Sequence, residues 1–352
     1  MKTVRKRDKT DLNGNIKRLT KKLKTGVFLE TQEIAIDVLD ILIGIVTQKE
    51  WNSAKDLMMI IREEGKNLMS VQPSETVIGN MVRRVLKIIR EEYVSAKGKT
   101  LKDDPQDALP KRLLTEGVHE DYTGSVPNFN KETVTEAIEE VKMEMESSTD
   151  NISEQALEHI HNNEVILTTG KSKTLLTFLK SAARKRKFKV MVVEGAPFFH
   201  GQEMAKKLAN ANIETTLITD SAVFAIMSRV NKVIIGTHTV LANGGLKAIQ
   251  GSHNIALAAK YYSVPLVVVA AMSKLSSHYL CSYDQDAFNR FLNPSDVVTF
   301  TDSNPNIEIY NPAFDYVPPE LVTLFISNIG GNAPSYVYRL LSELYHPDDN
   351  DL

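Results

Sequence analysis

NKVIIGTHTVLANGGLKAIQGSHNIALAAKYY, Asn231 to Tyr262, is the stretch whose reading decides the fold. It opens on Val233-Ile234-Ile235, a short apolar run of β-branched residues of the kind that forms a parallel strand covered on both faces. At Gly236 the run stops. Thr237, His238, Thr239, Asn243, Gly244 and Gly245 follow, polar or small residues suited to a loop at the carboxyl end of a strand, where open α/β sheets bind ligands. A helix is expected to resume near Ala248.

Outward from this stretch, short apolar runs alternate with helical spacing from Glu164 onward, the pattern of a parallel sheet with crossover helices. The predicted strands are Val165 to Thr168, Val190 to Val193, Thr216 to Thr219, Val233 to Ile235 and Leu266 to Ala270, with two more at Val297 to Phe300 and Ile307 to Tyr310. Helices are expected near Lys173 to Arg186, Gly201 to Ala211, Ser221 to Arg229, Ala248 to Tyr261, Gln285 to Leu292, Pro319 to Asn328 and Ser335 to Tyr345, before an acidic tail at Asp348 to Leu352.

Towards the amino terminus the periodicity is helical. Ile34, Val38, Ile41, Leu42 and Ile45 lie on one face, as do Ala54, Leu57, Met58 and Ile61 on a second helix. Pro73 interrupts, Ser74 is placed to cap a third helix, and its apolar line is Val77, Met81, Val85 and Ile88. Arg83, Arg84, Lys87 and Arg90 lie off that line and read as a solvated basic flank, with an acidic partner as the alternative. Residues 97–130 lose periodicity and read as a surface insertion whose trimming would do the core little harm. A charged helix follows with Val134, Ile138, Val141 and Met145 inward, then a shorter one from Ile152 to His161, whose His159 and His161 are two apart and so not a metal pair. The expected architecture is α/β: a basic arm at 1–28, an α-helical domain at 29–162 carrying the insertion, and a Rossmann-like parallel-sheet domain at 163–352.

With 352 residues and 42% hydrophobic composition the chain is long enough for two cores. A formal net charge of -2 argues against a dedicated nucleic-acid binder. The sole cysteine, Cys281, precludes an intrachain disulfide and points to a reducing, cytosolic compartment. The segment MKTVRKRDK has no apolar run behind it, and nothing approaches the roughly 18 apolar residues of a membrane span.

Residues just past the strands are the candidates for chemistry. Gly170-Lys171-Ser172 resembles part of a phosphate-binding loop, but the required earlier glycine falls at Val165, inside a strand, so no nucleotide cofactor is expected. Cys281 reads as an ordinary thiol, His238 has no adjacent acid to orient it, and Asp220 is expected to cap the helix after it.

QPSETVIGNMVRRVLKIIREEY (Gln72 to Tyr93), QALEHIHNNEVILTTGKSKTL (Gln155 to Leu175), VEGAPFFHGQEMA (Val193 to Ala205), TDSAVFAIMSRVNKVIIGTHTVLANGGL (Thr219 to Leu246) and NPAFDYVPPELV (Asn311 to Val322) together resemble one family. It joins the alpha, beta and delta regulatory subunits of eukaryotic translation initiation factor 2B to isomerases of methylthioribose 1-phosphate and ribose 1,5-bisphosphate. The resemblance implies that the isomerases use a cysteine after the first sheet strand and an aspartate after the strand of the opening stretch. Here those positions are Gly170 and His238. Asn243-Gly244 survives from an Asn-Gly-Asp sequence, while Gly245, Ala248 and Ile249 replace the aspartate and a following Asn-Lys pair. Without thiol and carboxylate the ring-opening reaction has no acid/base pair, so the resemblance implies a vestigial cleft and no catalysis. The alternative is an active isomerase with substituted residues.

The resemblance further implies a regulatory core of alpha, beta and delta subunits that carries gamma and epsilon, with epsilon exchanging guanine nucleotide on initiation factor 2. The helical domains of that core sense the alpha subunit of initiation factor 2 and its phosphorylation. On this reading Thr133 and Glu140 are candidate contacts to that alpha subunit, and Asn163, Glu164 and Gln202, flanking the first two strand-end loops, are candidate subunit-interface residues. No cofactor, metal, membrane or specific nucleic-acid partner is expected.

Overall fold

The computed structural model describes residues 12–25, 30–97, 121–124, 126, 128–279, 288–299, 306–350 and 352. Cys281, most of the insertion and the beginning of the predicted helix at 285 lie outside the described residues. The chain forms two compact units: residues 1–144 together with 344–352, and residues 145–343.

The first unit is helical. α1 (Leu12–Thr25), α2 (Thr31–Gln48), α3 (Ala54–Val71) and α4 (Thr76–Ala96) bury the predicted faces, with Ile34, Val38, Ile41, Leu57, Ile61, Val85 and Leu86 all essentially inaccessible. Ser53 caps α3 by accepting from the Asp56 amide at 3.1 Å. Before α4 the cap position is Glu75, and the hydroxyl of Ser74 accepts from Gln72 Nε2 at 2.8 Å. α1 buries Leu19 and Leu23 and pairs Lys22 with Glu33 and Asp37 at 3.1 Å each.

The end of the insertion is anchored. Tyr93 donates to the carbonyls of Asp121 and Gly124 at 3.1 and 3.2 Å, and its ring meets Tyr122 and Phe129 at 5.4 and 5.6 Å. Tyr122 and Phe129 therefore pack onto the helical unit, and trimming this end of the insertion would remove aromatic packing. The charged helix is also longer than expected. α5 (Lys131–Glu154) runs without a break through the predicted gap, followed by the single turn α6 (Ala156–His159).

The second unit is a seven-stranded sheet. In chain order its strands and helices are β1 (Val165–Thr169), α7 (Lys173–Ala183), β2 (Lys189–Val193), α8 (His200–Ala209), β3 (Glu214–Ile218), the short α9 (Val223–Ile226) and β4 (Lys232–Gly236). A three-stranded ribbon contributes β5 (Thr239–Val240), β6 (Leu246–Ile249) and β8 (Phe314–Val317). The remaining elements are α10 (Ser252–Tyr261), β7 (Leu266–Val269), β9 (Leu324–Ser327), β10 (Gly330–Asn332) and α11 (Val337–Leu344). The main order is β10-β9-β7-β4-β1-β2-β3, parallel except for β10. Central β1, β4 and β7 are buried along their length, with α7 and α8 supplying Phe178, Leu179, Met204 and Leu208 to the core.

Five expectations fail here, and where a strand replaces a predicted helix the reason is tertiary pairing that local pattern does not register. The helix near Ala248 begins at Ser252, because Leu246–Ile249 pairs with Phe314–Val317 as a strand. Val297 to Thr299 and Ile307 to Tyr310 form no strand, and Asn289 to Leu292 is not helical. The helix predicted at Pro319 to Asn328 is a short 3-10 turn, Pro319–Leu321, and then β9, which lies parallel to β7.

Candidate functional site

The crevice past the carboxyl ends of β1, β2, β3 and β4 is built from four loops. Leu167 pairs with Val233, which sets Gly170 level with Gly236 and brings His238 to the same end of the sheet. Gly170 holds a left-handed φ of 67°, and a Cβ built there would sit 3.5 Å from Ile249 Cγ2. The two positions at which the resemblance implies a thiol and a lysine thus face each other as glycine and isoleucine.

His238 is half-buried. Its backbone amide donates to the Lys247 carbonyl at 3.0 Å, its Nδ1 lies 3.1 Å from Thr239 Oγ1, and its ring centroid is 4.7 Å from that of Phe314. The Thr237 hydroxyl lies 2.9 Å from the Lys247 carbonyl, and Lys274 Nζ donates to the Thr237 carbonyl at 2.7 Å. Asn243 and Gly244 form the turn between β5 and β6. Asn243 Oδ1 accepts from the Gly245 amide at 2.8 Å and its Nδ2 donates to the Tyr316 hydroxyl at 3.0 Å, while Gly244 takes φ 82°. The loop of the opening stretch is a hairpin turn, tied to β8.

Four further residues are tied down around these loops. Lys247 is buried, with Nζ 4.6 Å above the Phe314 ring and 5.2 Å from that of Phe288. Asp315 Oδ2 accepts from the His253 amide at 3.1 Å in the first turn of α10, so the chain's own carboxylate occupies the helix end that would otherwise attract an anion. Asp220 does not cap the turn it opens; its Oδ2 accepts from the Ala196 amide at 2.9 Å and ties the β2 loop to the β3 loop. Gln250 Nε2 donates to the Ala196 carbonyl at 2.6 Å. Outside these ties, Glu203 on α8 is held down at about 2 by its hydrogen bonds to Lys171 and Lys207. Burial, helped by the Lys171 charge, lowers His200 below the ordinary imidazole value. Neither Lys247 nor Asp315 is singled out by sequence; the alternation of Phe314-Asp315-Tyr316-Val317 is the one signal that could have marked this segment as the strand pairing with β6.

The other candidates are dispersed. Thr133 and Glu140 lie seven residues apart on one face of α5; Thr133 donates to Asn130 Oδ1 at 2.8 Å in the first turn, and Glu140 is exposed. Burial first, then Glu140 and Glu91, raise the neighbouring Glu92 carboxyl. Asn163 and Glu164 precede β1, at the amino-terminal end of the strands. Asn163 takes φ 64° and Glu164 pairs with Lys232 at 3.4 Å. Gln202 is exposed on α8, after the carboxyl end of β2, so it lies at the opposite end of the parallel strands from Asn163 and Glu164. His159, the other half of the dismissed metal pair, has a lowered pKa from burial first and from Lys232.

With this geometry in view, a family model described as the initiation factor 2 subunit family matches residues 30–334. The chain belongs to the initiation factor 2 subunit family. Among curated relatives it is 44% identical, over 93% of its length and 94% of theirs, to translation initiation factor eIF2B subunit beta of Dictyostelium discoideum. It is 34% identical to the protein of the same name from Schizosaccharomyces pombe, covering 91% of this chain and 92% of that one. Among solved structures, eIF2B beta from Chaetomium thermophilum superposes with TM-score 0.76 at 26% identity, covering 97% of this chain and 94% of that chain. A chain of the tetrameric eIF2B-beta2-delta2 complex of the same organism superposes with TM-score 0.73 at 26% identity, covering 95% of this chain and 96% of that chain. A translation initiation factor eIF-2B from Pyrococcus horikoshii, 19% identical with TM-score 0.63, shares the fold. The helical unit and parallel sheet expected from sequence are the architecture of this family.

Proposed function

We propose that this chain is a non-catalytic regulatory subunit of the guanine nucleotide exchange complex of translation initiation, acting in the cytosol with alpha, delta, gamma and epsilon subunits on initiation factor 2. The observation that carries this reading is the similarity, over nine-tenths of the chain, to proteins named eIF2B subunit beta. The crevice supports it. Where an isomerase would need a thiol and a carboxylate stand Gly170 and His238, and the neighbouring groups are spent on the chain's own backbone and aromatic rings. Its contribution is therefore binding: Thr133 and Glu140 on α5 face the alpha subunit of initiation factor 2 and take part in sensing its phosphorylation, while Asn163, Glu164 and Gln202 lie in subunit interfaces.

The test is nucleotide exchange on initiation factor 2 by a reconstituted complex with and without this chain. Inclusion of the chain is expected to make exchange sensitive to phosphorylation of the alpha subunit, and Glu140→Lys to reduce that sensitivity. Exchange indifferent to the chain would refute the reading. So would turnover of methylthioribose 1-phosphate or ribose 1,5-bisphosphate by the pure chain.

A further inference from the structure

The basic flank of α4 is not solvated. Arg83 is fully buried and Arg90 is 5% exposed; seven residues apart, they share one face of the helix, and Arg62 of α3 reaches the same point. All three guanidiniums converge on Leu344–Leu352, which belongs to the same compact unit. Asp349, 1% exposed, accepts from Arg62 Nη2 at 2.6 Å and from Arg90 Nη2 at 3.1 Å through Oδ1, and from Arg90 Nη1 through Oδ2. Arg83 Nε donates to the Asp349 carbonyl and its Nη2 to the Leu352 main-chain oxygen, both at 3.0 Å. Tyr345 of the same segment is buried beside them. The recess is built for these groups: a Cβ at Gly79 would come within 2.8 Å of Arg83 Nη1, and Arg62 Nε and Arg90 Nε are buried without a hydrogen-bond partner among the described residues.

We propose that α3 and α4 form an aspartate-binding arginine pocket whose ligand is the chain's own segment Leu344–Leu352, a strap whose seating the helical unit requires to keep its native packing. The fork of Arg90 reads the two carboxylate oxygens of Asp349, while Arg83 reads main-chain oxygens and so fixes the strap's register. With the strap withdrawn, the buried guanidinium of Arg90 loses its counter-charge and that of Arg83 its main-chain acceptors, a far larger penalty than loss of a surface ion pair.

Full-length Asp349→Asn and, as control, Asp348→Asn at an exposed position are compared by thermal melting and by hydrogen exchange of α3 and α4 amides. Asp349→Asn is expected to lower Tm by about 10 °C and to speed exchange in both helices at least tenfold, with Asp348→Asn unchanged. A double variant, Asp349→Asn with Arg90→Gln, recovers part of the loss because the pair is neutralised together, and keeps the comparison readable if the single variant does not fold. A chain ending at Glu343 regains exchange protection in α3 and α4 when a peptide of residues 344–352 is added, but not with the peptide carrying Asp349→Asn. Equal behaviour of the two aspartate variants, or equal rescue by the two peptides, would overturn the proposal.

Discussion

A side chain at Gly170 would start from a left-handed backbone and end against Ile249. Gly170→Ala is therefore expected to cost about 1 kcal/mol, from backbone strain and not from a clash, read as a lowered urea midpoint with unchanged slope. The same geometry bears on revival of the reaction. Reinstalling both lost groups as Gly170→Cys with His238→Asp supplies a thiol and a carboxylate but leaves Ile249 opposite the thiol and Asp315 across the end of α10. The double variant is expected to show no turnover of methylthioribose 1-phosphate in a product assay; appreciable product would mean that the crevice is less filled than its contacts indicate.

At the scale of elements, α5 and α4 bring Glu140 and Glu91 beside Glu92. Burial and these like charges raise the Glu92 carboxyl, so its charged form destabilises the folded chain. The folded state holds the proton more tightly than the unfolded one, and stability is lost as pH rises through the window from the unfolded value of about 4.3 upward. Glu92→Gln removes that loss: a higher Tm is expected at pH 7, with no difference well below pH 4.3, where both states are protonated. Paired melts at the two pH values check the sign. Phe129, packed on Trp51 and Tyr93 at 5.5 and 5.6 Å, is the corresponding test of the anchored insertion end, and Phe129→Ala is expected to cost about 2 kcal/mol in chemical denaturation.

These elements also show what was legible in the sequence. β1, β2, β4 and β7 announce themselves because a strand covered on both faces must be a continuous apolar run. β6, β8 and β9 do not, because short strands acquire their state from partners far away in the chain: Lys247 meets Tyr316, and Phe325 meets Val268. For the same reason Gly170 and His238 can be located by their position after strands, whereas Lys247 and Asp315, which face each other's strands in β6 and β8, cannot. The basic flank of α4 and the acidic tail are both visible as charge patterns, but only the fold brings Arg90 onto Asp349.

On the proposed function, the whole molecule acts through its surfaces. The exposed edge strand β3, with Glu214, Thr216 and Leu217 open to solvent and neighbours on one side only, is the kind of edge that soluble proteins cover. Among the described residues no helix is long and apolar enough to cross a membrane. Assembly with related subunits is thus the account's central claim, and the mass of the complex formed with the delta subunit tests it most directly. When the chain is co-expressed with delta and purified through a tag on delta alone, native mass measurement is expected to give a stable species containing both chains, as in the beta2-delta2 complex from Chaetomium thermophilum. A chain that elutes as a monomer of 39.3 kDa, whether or not delta is present, would contradict the account.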